Sequence, residues 1–185
     1  MEFLIALWLP ILIITVVLFF ASFAAWMLLP HHFSDKTKLA KEQEFMNLVN
    51  DLKIPAGNYM FPYAKSKQDQ GSKEFQQRYM DGPRGCLDVY DVPNMGLNMG
   101  KTVVFFLITT AVIGYLTYFV FQLAGADKAT FMNVFRVAGT IGILTHASSG
   151  ALNSVWFKRR QWTDSLDGVV YGLLIGLIFA AMWPS

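Results

Sequence analysis

Charge is scarce in this sequence. Asp, Glu, Lys and Arg make up 15% of its 185 residues, against about 25% in a typical soluble domain. Cysteine is nearly absent: Cys86 stands alone, which excludes an internal disulfide framework, a CxxC redox pair and a cysteine-based zinc site. The net charge is +2, so no general basic field points to nucleic acid. There is no nucleophile elbow, zincin motif, Walker sequence or Rossmann fingerprint. Carboxylates are confined to polar segments and the ends of apolar runs, apart from Glu2. A hydrolase or group-transfer enzyme therefore has no recognisable parts here. What is plentiful is apolar. Hydrophobic residues reach 54%, with 16 Phe and 5 Trp, which excludes disorder and argues against an ordinary soluble globule.

The apolar residues fall into four runs, which predict an all-α membrane protein with four transmembrane helices. Residues 1–30 form the first, where Phe3 to Leu29 is free of charge over 27 positions. That is about 40 Å of helix, enough to cross a hydrocarbon core of about 30 Å. Pro10 is a candidate kink. The missing Lys or Arg near the N-terminus opposes a cleaved signal peptide. The second run is 102–124. The third, 131–152, carries Arg136 and His146. The fourth, 166–183, has Asp167 near its start.

Between the first two runs lies a polar module, residues 31–101, holding 19 of the 28 charged residues. Apolar positions Leu39, Phe45, Met46, Val49 and Leu52 recur at helical spacing and predict an amphipathic helix over about 36–52, capped by Ser34 or Asp35. Residues 59–63 and 86–92 read as a short β-ribbon, so the module is a small α+β insertion. Gly82-Pro83-Arg84-Gly85 reads as a turn with a surface arginine. Pro93 to Gly100 reads as a loop. Lys and Arg set the orientation: ten fall in 31–101 and three in 153–165, but one in 125–130. Both termini are then periplasmic, with loops 31–101 and 153–165 cytoplasmic.

Candidate sites follow from the polar residues left inside or beside the runs. Arg136, His146 and Asn153 share a stripe of small residues on the third run, so it should face protein. Arg136 is placed to snorkel outward or to pair with Asp127. His146, with Gly142 and Gly150 four residues away on either side, is a candidate ligand for haem or chlorophyll or a proton relay. The structural alternative is a hydrogen bond to Tyr115, Thr117 or Tyr118. His31, His32 and Asp35 form a candidate metal site at the end of the first run. Gly168, Gly172, Gly176 and Ala180 make a close-packing ridge, with Gly139, Gly142 and Gly150 as facing positions. Asp167 suits the N-terminal helix dipole and can reach Arg159 or Arg160.

Several stretches together resemble a group of uncharacterised bacterial multi-pass membrane proteins. They are Leu29-Pro30-His31-His32-Phe33-Ser34-Asp35, Ile54-Pro55-Ala56-Gly57-Asn58-Tyr59-Met60-Phe61-Pro62, Gly82-Pro83-Arg84-Gly85, Val134-Phe135-Arg136-Val137-Ala138-Gly139-Thr140 and Asp167-Gly168-Val169-Val170-Tyr171-Gly172. The resemblance implies a bacterial inner membrane and carries no activity. The expected function is a non-catalytic accessory, structural or assembly subunit of a larger integral-membrane complex, in contact with lipid and other membrane subunits. The alternatives are a small transporter or channel using Arg136 and His146, as a homo-oligomer, and a tetrapyrrole-binding protein using His146. No cofactor is assigned.

Overall fold

A computed structural model describes residues 2–148, 151, 154–155 and 161–184. The chain is mostly helical with one small sheet. It divides into two compact units, one made of residues 1–37 and 95–185 and the other of residues 38–94.

In the first unit, α1 spans Glu2–Phe23. Pro10 lies within α1, and the helix runs on through it. It leads into a single π-helical turn, Ala24–Leu28, where the Leu29 N–H reaches back five residues to the Ala24 carbonyl at 3.0 Å. A short 3₁₀ turn, Pro30–Ser34, follows. Later in the chain come α5 (Met95–Ala124), α6 (Phe131–Ala147) and α7 (Trp162–Ala181). Glu2–Leu28, Met95–Ala124 and Trp162–Ala181 are long and apolar enough to cross a membrane. The third apolar run differs: α6 has 17 residues, about 26 Å of helix, and the expected end at 152 lies outside the described residues.

Two boundaries move. Helix α5 starts at Met95 rather than 102, so the expected loop 93–100 is helical after Asn94. Gly and Asn cost a helix about 1 kcal/mol or less each, and propagation from an established helix is easy. The Thr102 hydroxyl returns a hydrogen bond to the Asn98 carbonyl at 3.0 Å. Helix α7 starts at Trp162, four residues before the apolar run.

The core of this unit is a layer of Leu7, Ile11, Ile14, Leu18, Phe106, Ile113, Phe121, Val134, Ala138, Ile175 and Phe179. Two of the buried threonines return their hydroxyls to their own helix, Thr15 to Ile11 and Thr117 to Ile113, each at 2.8 Å. That satisfies a donor where no water is at hand.

Helices α6 and α7 lie antiparallel in very close contact. A Cβ added at Gly168 would sit 2.5 Å from the Ala147 Cα. One at Gly172 would sit 2.9 Å from the Ile143 Cα, and one at Gly176 2.9 Å from the Gly139 Cα. Gly142 meets the Gly172 Cα in the same way, at 2.9 Å. Small residues allow backbones to approach to this distance and gain dispersion contacts along the whole helix. Ala180 is buried on the same face. Gly150 and Asn153 fall outside the described residues.

The second unit contains α2 (Glu42–Asp51), β1 (Gly57–Phe61), α3 (Lys67–Gln70), α4 (Lys73–Asp81) and β2 (Gly85–Val89). The strands pair antiparallel, from Gly57 opposite Val89 to Phe61 opposite Gly85. The ribbon thus starts two residues earlier than 59 and ends at 89. Helix α2 begins at Glu42, six residues later than expected. Asp35 does not cap it, because that carboxylate is held by His32. Serines cap the shorter helices: Ser66 accepts from the Asp69 N–H and Ser72 from the Phe75 N–H, both at 3.1 Å. Phe75 is the one buried residue of this unit among those described. Arg84 donates to the Tyr79 carbonyl at 2.7 Å and lies 5.0 Å over the Tyr79 ring, which accounts for it as a turn-stabilising group.

Candidate functional site

The polar groups of the first unit converge where α1 ends and α7 begins. The π-helical turn carries Trp26, and the 3₁₀ turn carries His31 and His32. In a 3₁₀ helix, side chains three apart eclipse, which brings His32 over Asp35. The His32 Nδ1 lies 2.6 Å from Asp35 Oδ2. From α7, Thr163 and Asp167 are four residues apart and so share a face. The Thr163 hydroxyl donates to Asp35, 2.9 and 3.0 Å from its two oxygens. Asp167 Oδ1 lies 3.0 Å from His31 Nε2, and Oδ2 lies 3.0 Å from His32 Nε2. The Trp26 ring stacks on His32, with centroids 3.9 Å apart and planes 9° from parallel.

The electrostatics follow from this chain of contacts. Both ring nitrogens of His32 face carboxylates, and both can donate only when the ring is an imidazolium. Burial disfavours that charge, but hydrogen bonds and attraction from Asp167 and Asp35 outweigh it and raise the His32 pKa. Burial likewise opposes ionisation of Asp35, and the hydrogen bonds from His32 and Thr163 hold its carboxyl below the ordinary value. The cluster is an alternating row of carboxylate, imidazole, carboxylate and imidazole, with Thr163 buried at its edge.

The nitrogens of His31 and His32 and a carboxylate oxygen of Asp167 all lie within 4.8 Å of one another. Sequence reasoning named His31, His32 and Asp35 and assigned Asp167 to the helix dipole. The structure brings Asp167 to the histidines, and Asp35 takes the far nitrogen of His32. Arg159 and Arg160, its expected partners, lie outside the described residues. The missed signals were a carboxylate inside an apolar run and two histidines at the end of another.

The other candidates are arranged differently. His146 does not bond to Tyr115, Thr117 or Tyr118. Its ring packs against Phe105, Phe106 and Tyr171, with centroids 5.9 to 6.0 Å apart. Its Nε2 is covered and has no hydrogen-bond partner among the described residues. Arg136 is exposed, on the side of α6 away from buried Val134, Ala138 and Gly142. It does not pair with Asp127, whose carboxylate takes Lys128 at 2.8 Å. The buried residues of α6 are Val134, Ala138, Gly139 and Gly142, and the expected stripe meets α7 through Gly139, Ile143 and Ala147 while Arg136 stays exposed.

The chain matches no protein-family model, no curated protein and no solved structure. The functional reading rests on the residues themselves.

Proposed function

We propose that this chain is a structural or assembly subunit of a larger integral-membrane complex, with four crossing helices and a cytoplasmic α+β module that docks a partner. The carrying observation is the apolar face of α2. Phe45, Leu48 and Leu52 are exposed, Val49 is half-buried, and no residue of the helix is buried. Positions i, i+3, i+4 and i+7 are the anchor pattern of a helix laid into an apolar groove.

The occupant that fits is a protein groove rather than a lipid surface. Interfacial helices carry Lys and Arg on their polar face. Helix α2 carries Glu42, Glu44 and Asp51 instead, and an anionic leaflet repels them. The nearby Lys38 and Lys41 are already paired with Glu42 and Glu44, at 3.6 and 3.0 Å.

The contact of His31 and His32 with Asp167 supports the fourth crossing. The end of α1 and the start of α7 meet, so the chain between them crosses an even number of times, which makes α6 the partner of α5. The basic residues of 31–101 and 153–165 support a cytoplasmic location for both loops and periplasmic termini.

The test is purification in mild detergent from the native membrane. A stoichiometric second subunit is expected, and Phe45→Glu with Leu48→Glu should release it while the chain still inserts. A monodisperse single-chain species would overturn the reading.

A further inference from the structure

The end of α1 and the start of α7 carry more polar chemistry than a helix–helix contact needs. Two imidazoles are directed at the two oxygens of one carboxylate, each at 3.0 Å. A second carboxylate sits behind one of them, and a threonine fixes that carboxylate in turn.

We propose that His31 Nε2, His32 Nε2 and the Asp167 carboxylate form a binding site for a divalent first-row transition-metal ion, with Asp35 as the group that orients His32. Four features lead there. The donor set is two imidazoles and one carboxylate, which suits zinc, iron, cobalt or nickel rather than magnesium or calcium. The nitrogen-to-oxygen separations of 3.0 Å match adjacent ligands about 2.1 Å from a shared ion. The remaining separation, within 4.8 Å, needs only a modest inward turn of the His31 ring. The fourth feature is the arrangement behind His32. A metal-bound histidine almost always gives its other N–H to a carboxylate or carbonyl, and the His32 Nδ1 already lies 2.6 Å from Asp35. Trp26, stacked on the same ring, fixes its plane.

The exchange balances simply. The ion enters, and the Nε2 proton of His32 leaves to water. The Nδ1 proton stays on the bond to Asp35. The Nε2 proton that His31 directs at Asp167 passes to water as Nδ1 takes one up from water, which frees the Nε2 lone pair for the ion. Three protein ligands leave further positions to water or to a group from outside the chain. The ligands come from 136 residues apart in sequence, so the ion joins the first and last membrane helices. This inference is independent of the docking role of α2.

The experiment uses the full chain, purified in mild detergent with a tag other than polyhistidine, stripped with chelator and titrated with Zn²⁺ and with Co²⁺. One ion per chain is expected, with visible Co²⁺ absorption bands and a rise in the unfolding temperature on Zn²⁺ addition. Asp167→Asn should weaken binding at least 100-fold. Asp35→Asn leaves all three ligands in place and should weaken it 10- to 100-fold. Because Asp167→Asn also removes helix contacts, His31→Gln at the more exposed ligand serves as the second ligand variant and should lose the Co²⁺ bands. His146→Gln should bind as the unaltered chain does. Absence of saturable one-to-one binding in the unaltered, cooperatively unfolding chain would overturn the proposal. So would retention of full affinity in folded His31→Gln.

Discussion

The Nε2 of His32 lies 3.0 Å from the Oδ2 of Asp167, although 135 residues separate them. This contact fastens the exit of the first membrane helix to the entrance of the last. Asp167 is 8% exposed, so its carboxylate depends on protein rather than water for its hydrogen bonds. Hydrogen bonds to charged groups contribute about 1.5–3 kcal/mol each. Asp167→Ala removes two and leaves His32 with one anion fewer. A loss of about 2–4 kcal/mol is expected in reversible unfolding in mixed detergent micelles. A loss below about 0.5 kcal/mol would show that the cluster does not fasten the helices.

The glycine ridge makes a sharper prediction. Gly172→Ala would place its Cβ 2.9 Å from the Ile143 Cα, and backbone cannot yield as a side chain can. Overpacking of this kind costs about 1–3 kcal/mol, and Gly168→Ala should behave alike. Gly100→Ala is the matched control within a helix, since nothing lies within 4 Å of its added Cβ. It should be neutral or stabilising by up to about 1 kcal/mol. Unfolding midpoints of the three variants test the contrast.

Orientation can be read from the native cysteine. Cys86 is exposed and is the sole cysteine of the chain. A membrane-impermeant maleimide should label it only after cells are opened. In a Cys86→Ser background, Asp127→Cys should be labelled in intact cells. The opposite pattern inverts the proposed orientation.

The module between Lys38 and Asn94 rests on little. Phe75 is its one buried side chain among the described residues, stacked near Tyr79 with centroids 6.1 Å apart. Phe75→Ala should cost about 3–5 kcal/mol, more than a two-stranded ribbon with short helices can spare. Limited proteolysis should then cut within 38–94 while the membrane helices stay protected.

The three helices long and apolar enough to cross a membrane were legible because a run of apolar residues is a local signal. The ribbon was legible from alternation, to within three residues at each strand end. The close α6–α7 contact left its trace in the spacing of Gly168, Gly172 and Gly176, with Gly139 and Gly142 as facing positions, and both meet the ridge. Arg136 and His146 drew attention as polar groups in an apolar run, yet a run does not say which side of a helix faces protein. The role of Asp167 was hidden for a different reason. Its partners lie on another helix, and one sequence carries no signal of which distant residues meet. Asp35 was visible as a neighbour of His32. Its position behind the ring rather than beside it depends on the 3₁₀ turn, which composition does not announce.

The π-helical turn at Ala24–Leu28 has a consequence for how this chain tolerates change. Each residue of a helix advances the chain by about 100°, so one residue more or less before Pro30 rotates everything that follows. His31, His32 and Asp35 reach α7 with the phase that this wide turn sets. The segment is therefore sensitive to its length more than to its letters. Apolar replacements at Ala24 or Met27 preserve the phase, while deleting a single residue there keeps an intact, insertable span and directs both histidines away from Asp167.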